Sequence, residues 1–262
     1  MRSCFAFLAL STPLLFGTFA FGQGGLVKAT NLEKLNTDAD EEDPFPTADG
    51  TTLLYATNVL GTYDIFVSKR AGASPIFPQG KPFIADKNAD ERSPYLLKDK
   101  YYYATNEVKD PKFAKLKNYD LFMKTGTLAP LFVPGDVNSG ADELYPWVLP
   151  GGKEFYFSRK TDDGWKLFVA KGPTPGPIGD GQEVGFPAGF HRATIAGLGT
   201  TMYLQGPLDG GKIGIFRSKR AKAGDRWSKP EPVKALNHPE SKKGDMQPAL
   251  NADGSRLYFV SD

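Results

Sequence analysis

Cysteine is nearly absent: there is one in 262 residues, at position 4, and histidine occurs only twice. A single thiol builds no disulfide framework, and two histidines without cysteine partners give no transition-metal spacing. An excess of charge of either sign is missing too. With 32 basic and 30 acidic residues the formal charge is +2, so the chain carries no field of the kind that marks a nucleic-acid binder. The one dense basic stretch, Arg217 to Lys222, falls at the end of a strand pattern, where such residues protect edges and keep the chain soluble. Beyond residue 22 no apolar run is long enough for a membrane-spanning helix. Helical periodicity is equally scarce. Apolar residues come in short runs rich in aromatics and β-branched side chains, bounded by Gly, Pro and Asp, which is the pattern of strands.

The first 22 residues read as an export signal. Arg2 is a minimal positive start, Phe5 to Phe16 is apolar apart from Ser11, Thr12 and Pro13, and Ala20 and Gly22 supply small residues ahead of Gln23. Cys4 precedes the apolar stretch, so it is not placed to be a lipid-anchored cysteine. The expected organisation is a signal peptide over 1–22 and one β domain over 23–262, periplasmic or secreted.

One phrase recurs five times at intervals of about fifty residues, the spacing of an array of small β units. An acidic pair leads to a proline, a tight turn and an aromatic strand, and then usually to a second strand ending in Ile/Leu-Phe. The first copy runs Asp40-Glu41-Glu42-Asp43-Pro44, Asp49-Gly50, Leu53-Leu54-Tyr55-Ala56-Thr57-Asn58 and Tyr63-Asp64-Ile65-Phe66-Val67-Ser68-Lys69-Arg70. The anchors are Pro44, Pro94, Pro146, Ala193 and Pro248, the fourth copy having lost its proline. Asp-Gly suits the turn because Gly takes positive φ without steric cost. Four-stranded units repeated radially make a β-propeller, which protects its sheet edges by closing a ring. The fold class expected is therefore all-β: a propeller of about five four-stranded blades. The last blade is incomplete and closed by the N-terminal strand around Asn31 to Asn36, with Gly25 to Thr30 the available donor for its remaining strand.

The phrase Asp-Glu-x-x-Pro, Asp-Gly, Tyr/Phe-Phe-x-Ser, Asp-Ile-Phe-Val-Ser-Lys-Arg resembles the WD40-like (PD40) propeller repeat of the TolB C-terminal domain. It is also similar to repeats found beside OmpA-type domains in bacterial envelope proteins. The resemblance covers about Leu32 to Asp262. It implies a periplasmic or secreted, non-catalytic platform for protein–protein interaction. The partner expected is an envelope protein or peptide, with no nucleic acid, no membrane span and a monomeric state.

Candidate site residues follow from propeller geometry, in which the first strand of each blade lines the central channel. Asp43, Glu91, Glu143 and Asp245 stand at its entrance, and the degenerate fourth unit offers His191 and Arg192. These six are the expected ligand-binding set, and none is assigned a catalytic role. Converging carboxylates would focus a negative potential, attract a cationic segment, or hold Ca²⁺, although no cofactor is required. Alternatively each acid caps its own blade by accepting backbone N–H groups. An enzyme is the second reading: a five-bladed glycosidase could use Glu91 with Glu143, or Asp43 with Asp245, as its carboxylate pair. Against it, the acids recur with the repeat and no Ser-x-Asp-x-Gly-x-Thr-Trp box occurs. Without a Gly-x-Ser-x-Gly elbow a prolyl-peptidase-type hydrolase is not expected.

Overall fold

A left-handed residue and a tight turn punctuate each repeat, with a proline anchor in all but the fourth, and the chain between them is too rich in alternating aromatic and β-branched residues to be anything but strand. The computed structural model describes residues 4–9, 29–72, 74, 76–107, 118–149, 151–172, 178–196 and 198–261. Two strands precede the repeats, β1 (Cys4–Ala9) and β2 (Thr30–Asn31). The first repeat forms β3 (Glu41–Pro46), β4 (Thr52–Thr57), β5 (Asp64–Lys69) and β6 (Lys81–Ile84). The second forms β7 (Glu91–Leu97), β8 (Lys100–Thr105), β9 (Asp120–Thr125) and β10 (Leu131–Phe132). The third forms β11 (Glu143–Val148), β12 (Glu154–Thr161), β13 (Gly164–Lys171) and β14 (Gln182–Glu183). The fourth forms β15 (His191–Ala196), β16 (Thr201–Pro207), β17 (Ile213–Lys219) and β18 (Glu231–Pro232). The fifth supplies β19 (Asp245–Leu250) and β20 (Arg256–Ser261).

Each repeat is one antiparallel sheet in chain order, and a further four-stranded sheet runs β19-β20-β1-β2. The result is a ring of four-stranded blades, a β-propeller. Inner strands pack on one another in sequence, β3 on β7, β7 on β11, β11 on β15, β15 on β19 and β19 on β3. The core lies between blades. Tyr55, Tyr102, Tyr156, Tyr258, Phe155 and Phe157 are among its largest fully buried side chains, which is why aromatic strands recur: flat rings fill the wedge between twisted sheets.

The phrase has a mechanical explanation at each step. The turn aspartate accepts local donors, Asp49 from Thr47 Oγ1 (2.6 Å) and Thr51 N (3.0 Å), and Gly50 follows at φ 63°. The terminal arginine donates from Nε to the turn glycine's carbonyl, Arg70 to Gly50 (2.7 Å) and Arg220 to Gly199 (2.5 Å). The serine two residues earlier ties down the following loop, Ser68 to the Pro78 carbonyl (2.5 Å) and Ser218 to that of Ser228 (2.6 Å).

The N-terminal strands differ from the sequence-based expectation. The outer strand of the last sheet is β2. The remaining strand is Cys4–Ala9, inside the segment expected to stand apart as an export signal, and it pairs along all six residues of β20. Gly25 to Thr30 does not supply it: Thr30 belongs to the outer strand, and residues 25–28 lie outside the described residues, as do Ala20 and Gly22 of the expected cleavage site.

Candidate functional site: the central channel

Every inner strand carries a β-bulge at its anchor, with register shifts between Glu42 and Phe45, Arg92 and Tyr95, Leu144 and Trp147, His191 and Thr194, and Met246 and Ala249. The residue before each anchor is left-handed: Asp43, Ser93, Tyr145, Arg192 and Gln247 all have φ between 55 and 59°. Such a conformation costs a non-glycine residue roughly 1–2 kcal/mol. Here it recurs at one level in all five inner strands and turns those five side chains into the channel. Together with the anchors and the residues after them, they line a central cavity with about 50 Å³ of room. That is space for a few waters, at roughly 10–15 Å³ each. Its wall is lopsided. Phe45, Tyr95 and Trp147 fill one side with rings 4.9 to 6.1 Å apart, while Thr194 and Ala249 leave the other side open.

A polar belt runs round this level. Ser93 N and Oγ donate to Asp43 Oδ2 (3.0 and 3.2 Å), and Asp43 N donates to Gln247 Oε1 (2.7 Å). Gln247 N donates to Gln205 Oε1 (3.1 Å), and Gln205 Nε2 lies 3.0 Å from His191 Nε2. With Gln205 donating there, His191 Nδ1–H is free to donate to the Gly189 carbonyl (2.9 Å). Arg192 N continues the belt to Ser158 Oγ (3.0 Å). Each blade is thus tied to a neighbour by groups that satisfy the backbone at the bulges.

Arg192 crosses the channel. Its Nη2 is 2.6 Å from Asp43 Oδ1 and also bonds the Tyr145 hydroxyl, and its guanidinium lies 3.8 Å from the Tyr145 ring centre. Arg92 from the second repeat bonds Glu42 and approaches Asp43 at 3.6 Å (Nε to Oδ2). Two acids of the first repeat therefore meet one arginine from the second and one from the fourth. Asp43 is the only carboxylate among the residues lining the cavity, and it is ion-paired.

Of the six expected residues, the structure brings Asp43 and Arg192 together here. Glu91, Glu143 and Asp245 sit two residues before the bulge, fully buried and engaged in their own turns. Glu91 accepts from Asp86 N (2.9 Å) and Thr105 Oγ1 (3.2 Å), Glu143 from Ser139 N (3.0 Å), Ser139 Oγ and Arg159 Nε (2.7 Å), and Asp245 from His238 N (2.6 Å). Glu41 does the same with Thr37 N (3.1 Å). The acids ahead of Glu91 and Glu143 link blades instead. Asp90 Oδ1 accepts from Tyr63 N (2.9 Å) and Asp142 Oδ1 from Tyr119 N (3.0 Å). Burial raises the pKa of Glu91 to about 7 and raises Glu41 and Glu143 in the same direction. Among the described residues no group of three or more His, Cys, Asp or Glu is gathered as a metal would need.

His191 does not take the acid's place in the fourth repeat, because that position belongs to Phe190, packed edge-on to Phe216 at 5.0 Å. His191 lies one residue further on, buried and stacked on Trp165 (5.5 Å, 14°). Burial, helped by the Arg192 charge, pushes its pKa down to about 3, so the ring stays neutral. Sequence reasoning missed Gln205, Gln247, Ser93 and Tyr145. Their signal was positional, since three of them precede the anchor, but their chemistry varies from repeat to repeat and so carries no motif.

No protein-family model matches the sequence, and no curated protein matches it. Similar solved structures do exist. TolB from Acinetobacter baumannii superposes with a TM-score of 0.57 at 12% identity, over 100% of this chain and 63% of that one. This chain therefore spans less than two thirds of that protein's length. The putative TolB of Agrobacterium tumefaciens gives 0.56 at 15% identity, over 100% and 78%. The fold is a TolB-like β-propeller. It is shared with an enzyme: the α-L-arabinofuranosidase PaAbf62A from Podospora anserina, in complex with cellotriose, superposes at 0.57 with 11% identity over 84% and 90%. These identities speak for the fold alone. Among the described residues no helix is long and apolar enough to cross a membrane.

Proposed function

We propose that this chain is an exported, non-catalytic propeller of five blades, its last blade closed by the N-terminal strand, that binds a protein or peptide ligand in the bacterial cell envelope. The binding face is the channel mouth around Asp43, Arg192 and the aromatic wall. The observation that carries the reading is the state of the carboxylates. A glycosidase needs two of them, roughly 5–10 Å apart and free to act as acid and as base or nucleophile. Here the entrance acids are buried in their own turns, and the one acid on the cavity wall is ion-paired. What is left is an apolar, ring-lined pit beside a charged pair, which suits an apolar side chain of a peptide flanked by polar backbone.

Filling the pit tests this. Ala249→Val adds volume on the open side and touches no hydrogen bond of the belt. Envelope proteins are captured on wild-type and variant chains, and the melting temperature is recorded alongside. The reading expects capture to fall at least fivefold with the fold retained. Equal capture by both chains would remove the channel from the binding face.

A further inference from the structure

Among the described residues, three buried polar atoms of the channel wall have no hydrogen-bond partner. One is Asp43 Oδ1, which lies 2.6 Å from Arg192 Nη2 in the ion pair. The other two are donors, Arg192 Nη1 and Trp147 Nε1. Side-chain acceptors of the wall are already engaged. Asp43 Oδ2 takes both donors of Ser93, Gln247 Oε1 takes Asp43 N, and Thr194 Oγ1 takes Leu250 N at 3.0 Å. A buried donor without an acceptor is destabilising, so an oxygen that reaches either of these two is favoured.

Charge decides which oxygen. Arg92 and Arg192 face Glu42 and Asp43, so the cations and anions of this level already balance. A carboxylate would enter as an uncompensated charge, and burying one costs more than its hydrogen bonds return. An amide carbonyl accepts the same bonds and brings no charge. The room of about 50 Å³ suits a small apolar side chain with a carbonyl oxygen beside it.

We infer that Arg192 Nη1 and Trp147 Nε1 are the donors that set the specificity of the channel. They select a ligand presenting amide carbonyl oxygens next to a small apolar side chain, an internal peptide segment rather than a free carboxylate terminus. The aromatic wall takes the side chain, and the two donors read the backbone that flanks it. This deepens the reading of the channel as the binding face and rests on it.

The test uses two probes at neutral pH, N-acetyl-valine N-methylamide and N-acetyl-valine, the second a carboxylate. Binding is followed by NMR of the tryptophan indole N–H groups, with the Trp147 signal assigned through Trp165→Phe and Trp227→Phe. The expected result is a saturable shift of the Trp147 signal with the amide at millimolar concentration, and at least tenfold weaker binding of the carboxylate. Trp147→Phe keeps a ring and Arg192→Lys keeps the charge facing Asp43. Each should weaken amide binding about fivefold, the effect of one lost hydrogen bond. Equal binding of both probes, no binding of the amide, or amide binding that leaves the indole signal unmoved would overturn it. Should either variant fail to fold, the two probes on the wild-type chain decide alone. Ala249→Val separates this inference from the reading beneath it. Amide binding unchanged in Ala249→Val removes the channel as the binding face. Binding lost there but unchanged in Trp147→Phe and Arg192→Lys overturns only the assignment of the two donors.

Discussion

Replacing Arg192 with methionine keeps an unbranched apolar stem but removes the guanidinium, and with it the charge, the hydrogen bonds and the stacking on Tyr145. Arg192 and Asp43 are 7% and 6% exposed, so the lost partner leaves a buried carboxylate behind. Breaking a buried pair this way costs roughly 3–5 kcal/mol. Asp43 keeps Arg92 at 3.6 Å and two bonds from Ser93, which argues for the lower end. The lost cation–π contact adds about 1 kcal/mol. The total, about 4 kcal/mol, corresponds to a fall of roughly 8–16 °C in melting temperature for a domain of this size. Asp43→Asn alone strands the arginine and is expected to cost about 3 kcal/mol. The double variant should recover about 1–3 kcal/mol of the summed losses, the coupling expected of side chains in direct contact. The assay is urea unfolding followed by tryptophan fluorescence. Single losses under 1 kcal/mol with no measurable coupling would refute the claim that Arg192 ties the ring across its channel.

Other outcomes follow from the same geometry. Glu91 has a raised pKa in the folded state, so folding favours its protonated form; that contribution is complete below about pH 4.5 and is lost as pH rises to about 7. Stability should therefore fall by roughly 3 kcal/mol across that window, and Glu91→Gln should flatten the slope in denaturation series between pH 5 and 8. Gly244 has φ 105°, and a side chain there would run into the Ile213 carbonyl; Gly244→Ala is expected to cost at least about 3 kcal/mol and to appear as a lowered urea midpoint. Arg220→Ala removes a bidentate bond to Glu154 (3.1 and 2.7 Å) and a stack on Trp227, and should lower stability by about 2–3 kcal/mol. Arabinan and arabinoxylan assays should give no sugar release above background; turnover abolished by Asp43→Asn would favour the glycosidase.

The blades were legible because strand pattern, turn chemistry and period all point the same way. Pro44, Asp49-Gly50 and Tyr55 each do locally what their residue types dictate. The roles of the acids were legible only as alternatives. A carboxylate just ahead of a proline faces either the channel or its own turn, and the β-bulge decides which: it turns Asp43, next to Pro44, inward and leaves Glu91, three residues before Pro94, behind. Bulges leave little trace in sequence, and so Gln247 and Ser93 were passed over while the acids were noticed. The fourth repeat misled by one residue: His191 drew attention by its chemistry, whereas Phe190 had taken the acid's position. Cys4–Ala9 carries two incompatible signals, an apolar export segment and an extended strand, and its sequence alone favours the first.

The central claim is that the buried acids Glu91, Glu143 and Asp245 hold their own turns rather than a ligand. Glu91→Ala, Glu143→Ala and Asp245→Ala, made singly, test it most directly when urea stability and partner capture per folded molecule are measured side by side. The account predicts stability losses of about 1–3 kcal/mol each, from stranded backbone donors, with capture unchanged. Capture lost at unchanged stability would contradict it.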